Sequence, residues 1–145
     1  MSKTNSLEND FLLLLFNNTN AANIGDATGL RGASTAGSFY VSLHTADPGE
    51  AGDQTTSEIA YTSYARVAVA RSGAGWTVTN NSVSPAATIS FPAGTGGSGT
   101  ATHFGVGTAS SGAGKLLYKG TVTPNIVCGN GVTPTLTTAS AITED

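Results

Sequence analysis

The chain has 145 residues, enough for one domain with a buried core. Only 10% of them are charged, and the six basic residues are scattered among nine acidic ones for a net charge of −3. No basic cluster could neutralise a run of phosphates, which argues against nucleic-acid binding. A single cysteine, Cys128, excludes an internal disulfide and suits a small buried hydrophobe in a reducing compartment.

The stretch SLENDFLLLLFNNTN predicts a short N-terminal helix. Ser6 is placed to cap it, Glu8 and Asp10 suit the positive end of its dipole, and Asn17 and Asn18 are stop signals. Phe11 to Phe16 is apolar all the way round, which a helix on a domain surface rarely is. The run is too short to span a bilayer, follows acidic rather than basic residues, and precedes no small-residue cleavage site. Neither membrane insertion nor secretion is expected. Either its own domain covers both sides of the helix or a neighbouring subunit covers one. The subunit reading makes Leu7, Phe11, Leu12, Leu14, Leu15 and Phe16 interface candidates.

Residues 21–38 are rich in Gly, Ala and Asn without periodicity and are expected to be loop. From residue 39 the pattern alternates. FYVSLHT puts Phe39, Val41 and Leu43 on one face and Tyr40, Ser42 and His44 on the other. ADPGEAGD is a turn, with Pro48 pre-set for the bend and Gly49 free to take positive φ. YARVAVAR follows, with Ala65, Val67 and Val69 aligned, then WTVTNNSVS with Trp76 and Val78, then ATISF with Ala87, Ile89 and Phe91. THFGVGT, KLLYKGTVT, NIVC and VTPTLTT complete the series, and Pro134 marks the last as a sheet edge. About eight short antiparallel strands divided by turn signals predict an all-β sandwich or barrel of jelly-roll-like form. The expected organisation is one domain over 1–145, with a helical arm at 1–20, a loop at 21–38 and a β-domain at 39–145.

HFGVGTASSGAGKLLY (103–118) resembles a phosphate-binding loop at first sight. Aligned on Gly114 and Lys115, however, the first glycine position is Ala109 and the metal-binding hydroxyl position is Leu116. The residues that follow favour a strand rather than a helix, so a hairpin bending at Ala109–Gly114 is expected instead. The acidic turn Asp47, Glu50, Asp53 and Glu58 offers oxygen ligands for a hard cation, or simply solvated carboxylates. His44 and His103 lack a third zinc ligand at a suitable spacing and fit the polar face of strands. Arg66 and Arg71 fit strand ends or an interface. No G-x-S-x-G occurs. Asp47 and Glu58 could pair for hydrolysis only if the fold brings them together. No enzymatic activity and no cofactor are expected.

The low charge has two readings. A surface of Thr, Ser and Ala is cheap to desolvate and so favours packing against other protein, or the chain is simply a small-residue β-protein.

YVSLHTADPGEAGDQTTSEIAYTSYARVAVAR, GWTVTNNSVSPAATISFPA and ATHFGVGTASSGAGKLLYKGTVTPNI together resemble a family of small tailed-bacteriophage virion proteins that carry the generic label phage tail fibre protein. SLHTADPG and THFGVGTA are the most specific marks. The resemblance implies a virion component without catalysis, assembled in the bacterial cytoplasm. A fibre shaft needs repeats or heptads, and none is present. The expectation is therefore a capsid decoration or cement protein, a homo-oligomer with a trimer favoured, contacting the major capsid protein or other virion proteins. The alternative is a tail component: a tube subunit, a connector, or a fibre-associated domain binding host glycan through exposed Tyr40, Tyr61 and Tyr64 near the Asp47–Glu58 turn.

Overall fold

A computed structural model describes residues 2–145; position 1, part of the expected helical arm, lies outside the described residues. The chain is mostly β, with one N-terminal helix and antiparallel strand pairs, as the alternation predicts. It forms two compact units, one of residues 2–38, 69–88 and 137–145, the other of 39–68 and 89–136. Nothing in composition or linker pattern signals this division, because the chain passes between the units inside strand-rich stretches rather than through one flexible linker.

In the first unit, helix α1 spans Asn5–Asn17. Its N-cap is Thr4, not Ser6: the Thr4 hydroxyl accepts from the Leu7 amide at 3.4 Å, while Ser6 lies inside the first turn. Asn18 ends the helix in the left-handed region at φ 56°, as its position suggested. Arg71 donates to the carbonyls of Leu14 and Leu15, satisfying acceptors at the helix end, and ties Ala36 to them at 3.0 Å. Arg71 is thus an internal cap rather than an interface charge. Strands β3 (Trp76–Thr79) and β4 (Ser82–Pro85) form a hairpin, and β9 (Ile142–Thr143) pairs with β4.

Leu12 and Phe16 are fully buried and Trp76 and Val83 nearly so, with the Phe16 and Trp76 rings edge-to-face at 4.8 Å. Of the six interface candidates, Leu12 and Phe16 are therefore already covered within the chain. Leu14 and Leu15 are half-buried, and only Leu7 and Phe11 are exposed, at 40% and 38%. The all-round apolar helix has one face in its own unit's core, a possibility the sequence left open.

The second unit is built on β1 (Ser38–His44), β6 (Ser98–Gly107) and β7 (Leu116–Gly129), antiparallel neighbours in the sheet order β2–β1–β6–β7, and the chain leaves this unit within β2 (Val67–Ala70). β5 (Ile89–Ser90) pairs with β8 (Thr135–Leu136). KLLYKGTVT and NIVC, expected as two strands, are one strand, β7. Between Ala101↔Ile126 and His103↔Thr121 the register slips, and Pro124 sits in that irregularity, where its missing N–H breaks no ladder bond. Ala65 and Ala87 are exposed and fall outside the strands, so YARVAVAR and ATISF contribute shorter strands than their alternation suggests. β1 departs most from the expected pattern, since Val41, Ser42, Leu43 and His44 are all buried. Both faces of its second half are covered, so His44 lies in the interior and not on a polar face.

Candidate functional site

The turn that follows β1 is built by its own side chains. Asp47 Oδ1 accepts from the Gly49 amide at 2.8 Å, and Gly49 takes φ 73°, where a side chain would be strained. Asp53 Oδ1 accepts from the Thr55 amide at 2.8 Å and the Thr55 hydroxyl at 2.6 Å. These bonds hold the Asp47 and Asp53 carboxyls below the usual carboxylate range: for Asp47 the Gly49 amide is the main cause and Lys119 adds to it, and for Asp53 the cause is Thr55.

At the far end of the turn, Glu58 meets Arg66 in a bidentate pair, with Nε–Oε1 and Nη2–Oε2 both at 2.7 Å. The same guanidinium donates to the Ala109 and Gly112 carbonyls, both at 2.9 Å, and so anchors the β6–β7 hairpin loop. The Arg66 side chain is only 2% exposed, which replaces its reading as a strand-end charge. Tyr64 donates to Glu58 Oε1 at 2.9 Å and accepts from the Leu43 amide at 3.0 Å; burial pushes its phenol pKa up.

Gln54, fully buried, fastens the loop a second time. Its Oε1 accepts from the Ala109 amide at 2.9 Å, its Nε2 donates to the Tyr40 carbonyl at 3.2 Å, and its own amide donates to Gly114 O at 3.0 Å. Gly107 and Gly114 make room for it: a Cβ on either would fall 2.2 Å from a Gln54 side-chain atom. The HFGVGTASSGAGKLLY stretch is thus a hairpin, with Val106 opposite Tyr118 and Gly107 opposite Leu116. Phe104 and Val106 are buried as expected, whereas Leu116 and Tyr118 are only half-buried. The Ala109 amide and the Ala109 and Gly112 carbonyls serve Gln54 and Arg66. Gln54 carries no sequence signal of its own, since an isolated glutamine between Asp53 and Thr55 forms no pattern; only the glycines facing it are a signal.

The outer side of the turn borders a groove of about 330 Å³ lined by Gly49, Glu50, Gly52 and the Leu116–Lys119 stretch of β7. Lys119 spans it to Asp47 at 3.0 Å and Glu50 at 3.2 Å, and Asp47 first and Glu50 second raise its ammonium pKa. These pairs are exposed, so each contributes little stability.

Asp47 and Glu58 do not form a catalytic pair, because each carboxylate is engaged by a different cation, Lys119 and Arg66. Ser42 Oγ lies 2.9 Å from His44 Nε2, the spacing of a nucleophile and its base, but both residues are fully buried. Tyr61 is buried, with its hydroxyl donated to the Pro92 carbonyl at 2.7 Å, and Tyr64 is turned inward to Glu58. Of the three tyrosines expected as a glycan-binding surface, Tyr40 alone is not committed in this way, and it is half-buried. Among the described residues no three His, Cys, Asp or Glu side chains come together as metal ligands, and no helix is long and apolar enough to cross a membrane.

What the arrangement provides is a loop pinned twice from within and a shallow polar groove beside it. No curated protein matches the sequence. The family model described as podophage GP4 fiber I protein gp80 matches residues 2–143, and the chain belongs to that family of phage fibre proteins.

Proposed function

We propose that the chain is a non-enzymatic structural component of the phage tail fibre or its attachment to the tail. The observation that carries this reading is the family match over residues 2–143, nearly the whole chain. The family name favours the tail alternative over the capsid decoration expected from the missing shaft repeats. A chain without repeats can still serve a fibre as a collar, adaptor or tip.

Two physical features support a structural role. The 10% charge content makes the surface cheap to bury against other virion proteins. The Glu58–Arg66 and Gln54 clamps give a small domain a loop that keeps its shape without a ligand. Contacts with other virion proteins, and self-association as a trimer, belong to the same proposal.

Immunogold labelling of intact particles tests it. Label confined to the tail or its fibres is the expected result. Label spread over the head in hundreds of copies would overturn it in favour of capsid decoration.

A further inference from the structure

The second unit carries a buried histidine at the base of the turn that walls the groove beside β7. His44 is 0% exposed and has both ring nitrogens engaged: Nδ1 lies 2.8 Å from the Thr56 carbonyl and Nε2 2.9 Å from Ser42 Oγ. Since a carbonyl only accepts, Nδ1 carries the proton and the neutral ring accepts from Ser42 at Nε2. The bond to Thr56 joins the two limbs of the turn, beside Thr45 N to Ser57 O at 2.8 Å and Ile59 N to Leu43 O at 2.9 Å. There is no slack around the ring, because a Cβ on Gly105 would fall 2.8 Å from Nε2.

We propose that His44 is an acid-sensitive latch, whose neutral ring holds the turn 45–57 and the groove wall in place and whose protonation loosens them. A second proton would go to Nε2, whose partner among the described residues is Ser42 Oγ, and the Ser42 proton would have to turn to Gly105 O at 3.5 Å. The added charge would be buried. Glu58, bridged to His44 across the turn, attracts it but is already neutralised by Arg66 through two 2.7 Å bonds. Arg66 and the cross-strand neighbour His103 repel it, and Tyr64 stays neutral. Burial is the main cause that holds the His44 pKa below its ordinary 6.5.

The sign follows from linkage. The unfolded ring takes up its proton near pH 6.5 and the folded ring only at lower pH. The stabilisation is complete above that value and is lost as pH falls below it towards the folded value. Asp47 and Asp53 are held below 3.8 and titrate beneath this window. The latch stands whether the chain sits on the tail or elsewhere in the particle.

Amide hydrogen exchange of the intact chain at pH 7 and pH 5, corrected for intrinsic rates, tests it beside an NMR titration of both histidine rings. In the wild type, protection at Thr45 and Ile59 should fall at pH 5 relative to pH 7, because the folded ring takes up its proton only below the unfolded value of 6.5. His44→Gln should remove that fall and His103→Gln should leave it. If His44→Gln does not fold, the wild-type ring titration decides: His44 Nε2 protonating below 6.5 in step with loss of protection supports the latch. Unchanged wild-type protection, a His44 ring that titrates at 6.5 or above, or a fall that persists in His44→Gln overturns it.

Discussion

Glu58→Gln is the sharpest test of how the hairpin loop is held. The substitution keeps the shape of the side chain and an acceptor for Tyr64, but removes the charge that neutralises Arg66. The guanidinium, 2% exposed, then keeps only neutral acceptors, the amide oxygen and the Ala109 and Gly112 carbonyls, and loses its counter-charge and the Nη2–Oε2 bond. Breaking one side of a buried ion pair costs about 3–5 kcal/mol. The Glu58 side chain is 18% exposed and two carbonyls still solvate Arg66, which places the expected loss at the lower end, about 3 kcal/mol. That corresponds to a fall in Tm of about 6–12 °C for a chain of this size. Urea unfolding followed by circular dichroism measures it. Arg66→Met combined with Glu58→Leu should cost less than Glu58→Gln alone, because it leaves no buried charge unpaired. A loss below about 1 kcal/mol for Glu58→Gln, or strict additivity of the two sites in a double-mutant cycle, would refute the clamp.

Leu12→Ala, at a fully buried position, should cost about 2–5 kcal/mol, whereas Phe11→Ser, at 38% exposure, should change the isolated chain by only about 0.5 kcal/mol. Equal losses in thermal unfolding would contradict the division of α1 into core and surface faces. With folding intact, reduced incorporation of Phe11→Ser into particles would identify that face as an assembly contact. Gly107→Ala should destabilise by about 1–3 kcal/mol in urea by driving a methyl into Gln54. Arg71→Met should expose the last turn of α1, with faster amide exchange there and a loss of about 1.5–3 kcal/mol for charged hydrogen bonds. Cys128 is 1% exposed with its thiol pKa pushed up by burial, so a thiol reagent should label it much more slowly in the native than in the urea-unfolded chain.

The features legible in the sequence are those a local pattern encodes. Alternation in FYVSLHT and THFGVGT located β1 and β6, Asn18 marked the end of α1, and the failed ends of the phosphate-loop motif in TASSGAGKLL pointed to a hairpin. Each follows from backbone preference or side-chain periodicity within a few residues. Ser6 reads as the cap because serine is at least as good an N-cap as threonine, yet Thr4, two residues earlier, takes the role, and propensity alone does not fix a helix start to within two residues.

The candidate site was legible only in its parts. Asp47, Glu58, His44 and Arg66 were all singled out, yet their partners lie across strands or at the far end of a hairpin. An arginine at the end of a strand looks the same in sequence whether it meets solvent or a buried glutamate, and a period-two pattern cannot tell that the polar face of a strand will be covered too. By itself the sequence determined the β-rich class, the helix, the turns and a low-charge surface, because these depend on near neighbours and composition. Only the tertiary structure decided that His44 is interior, that Arg66 and Gln54 pin one loop, and that of the apolar residues of α1 just Leu7 and Phe11 are exposed. Those outcomes depend on which distant residues desolvate one another, a property of packing that no local pattern carries.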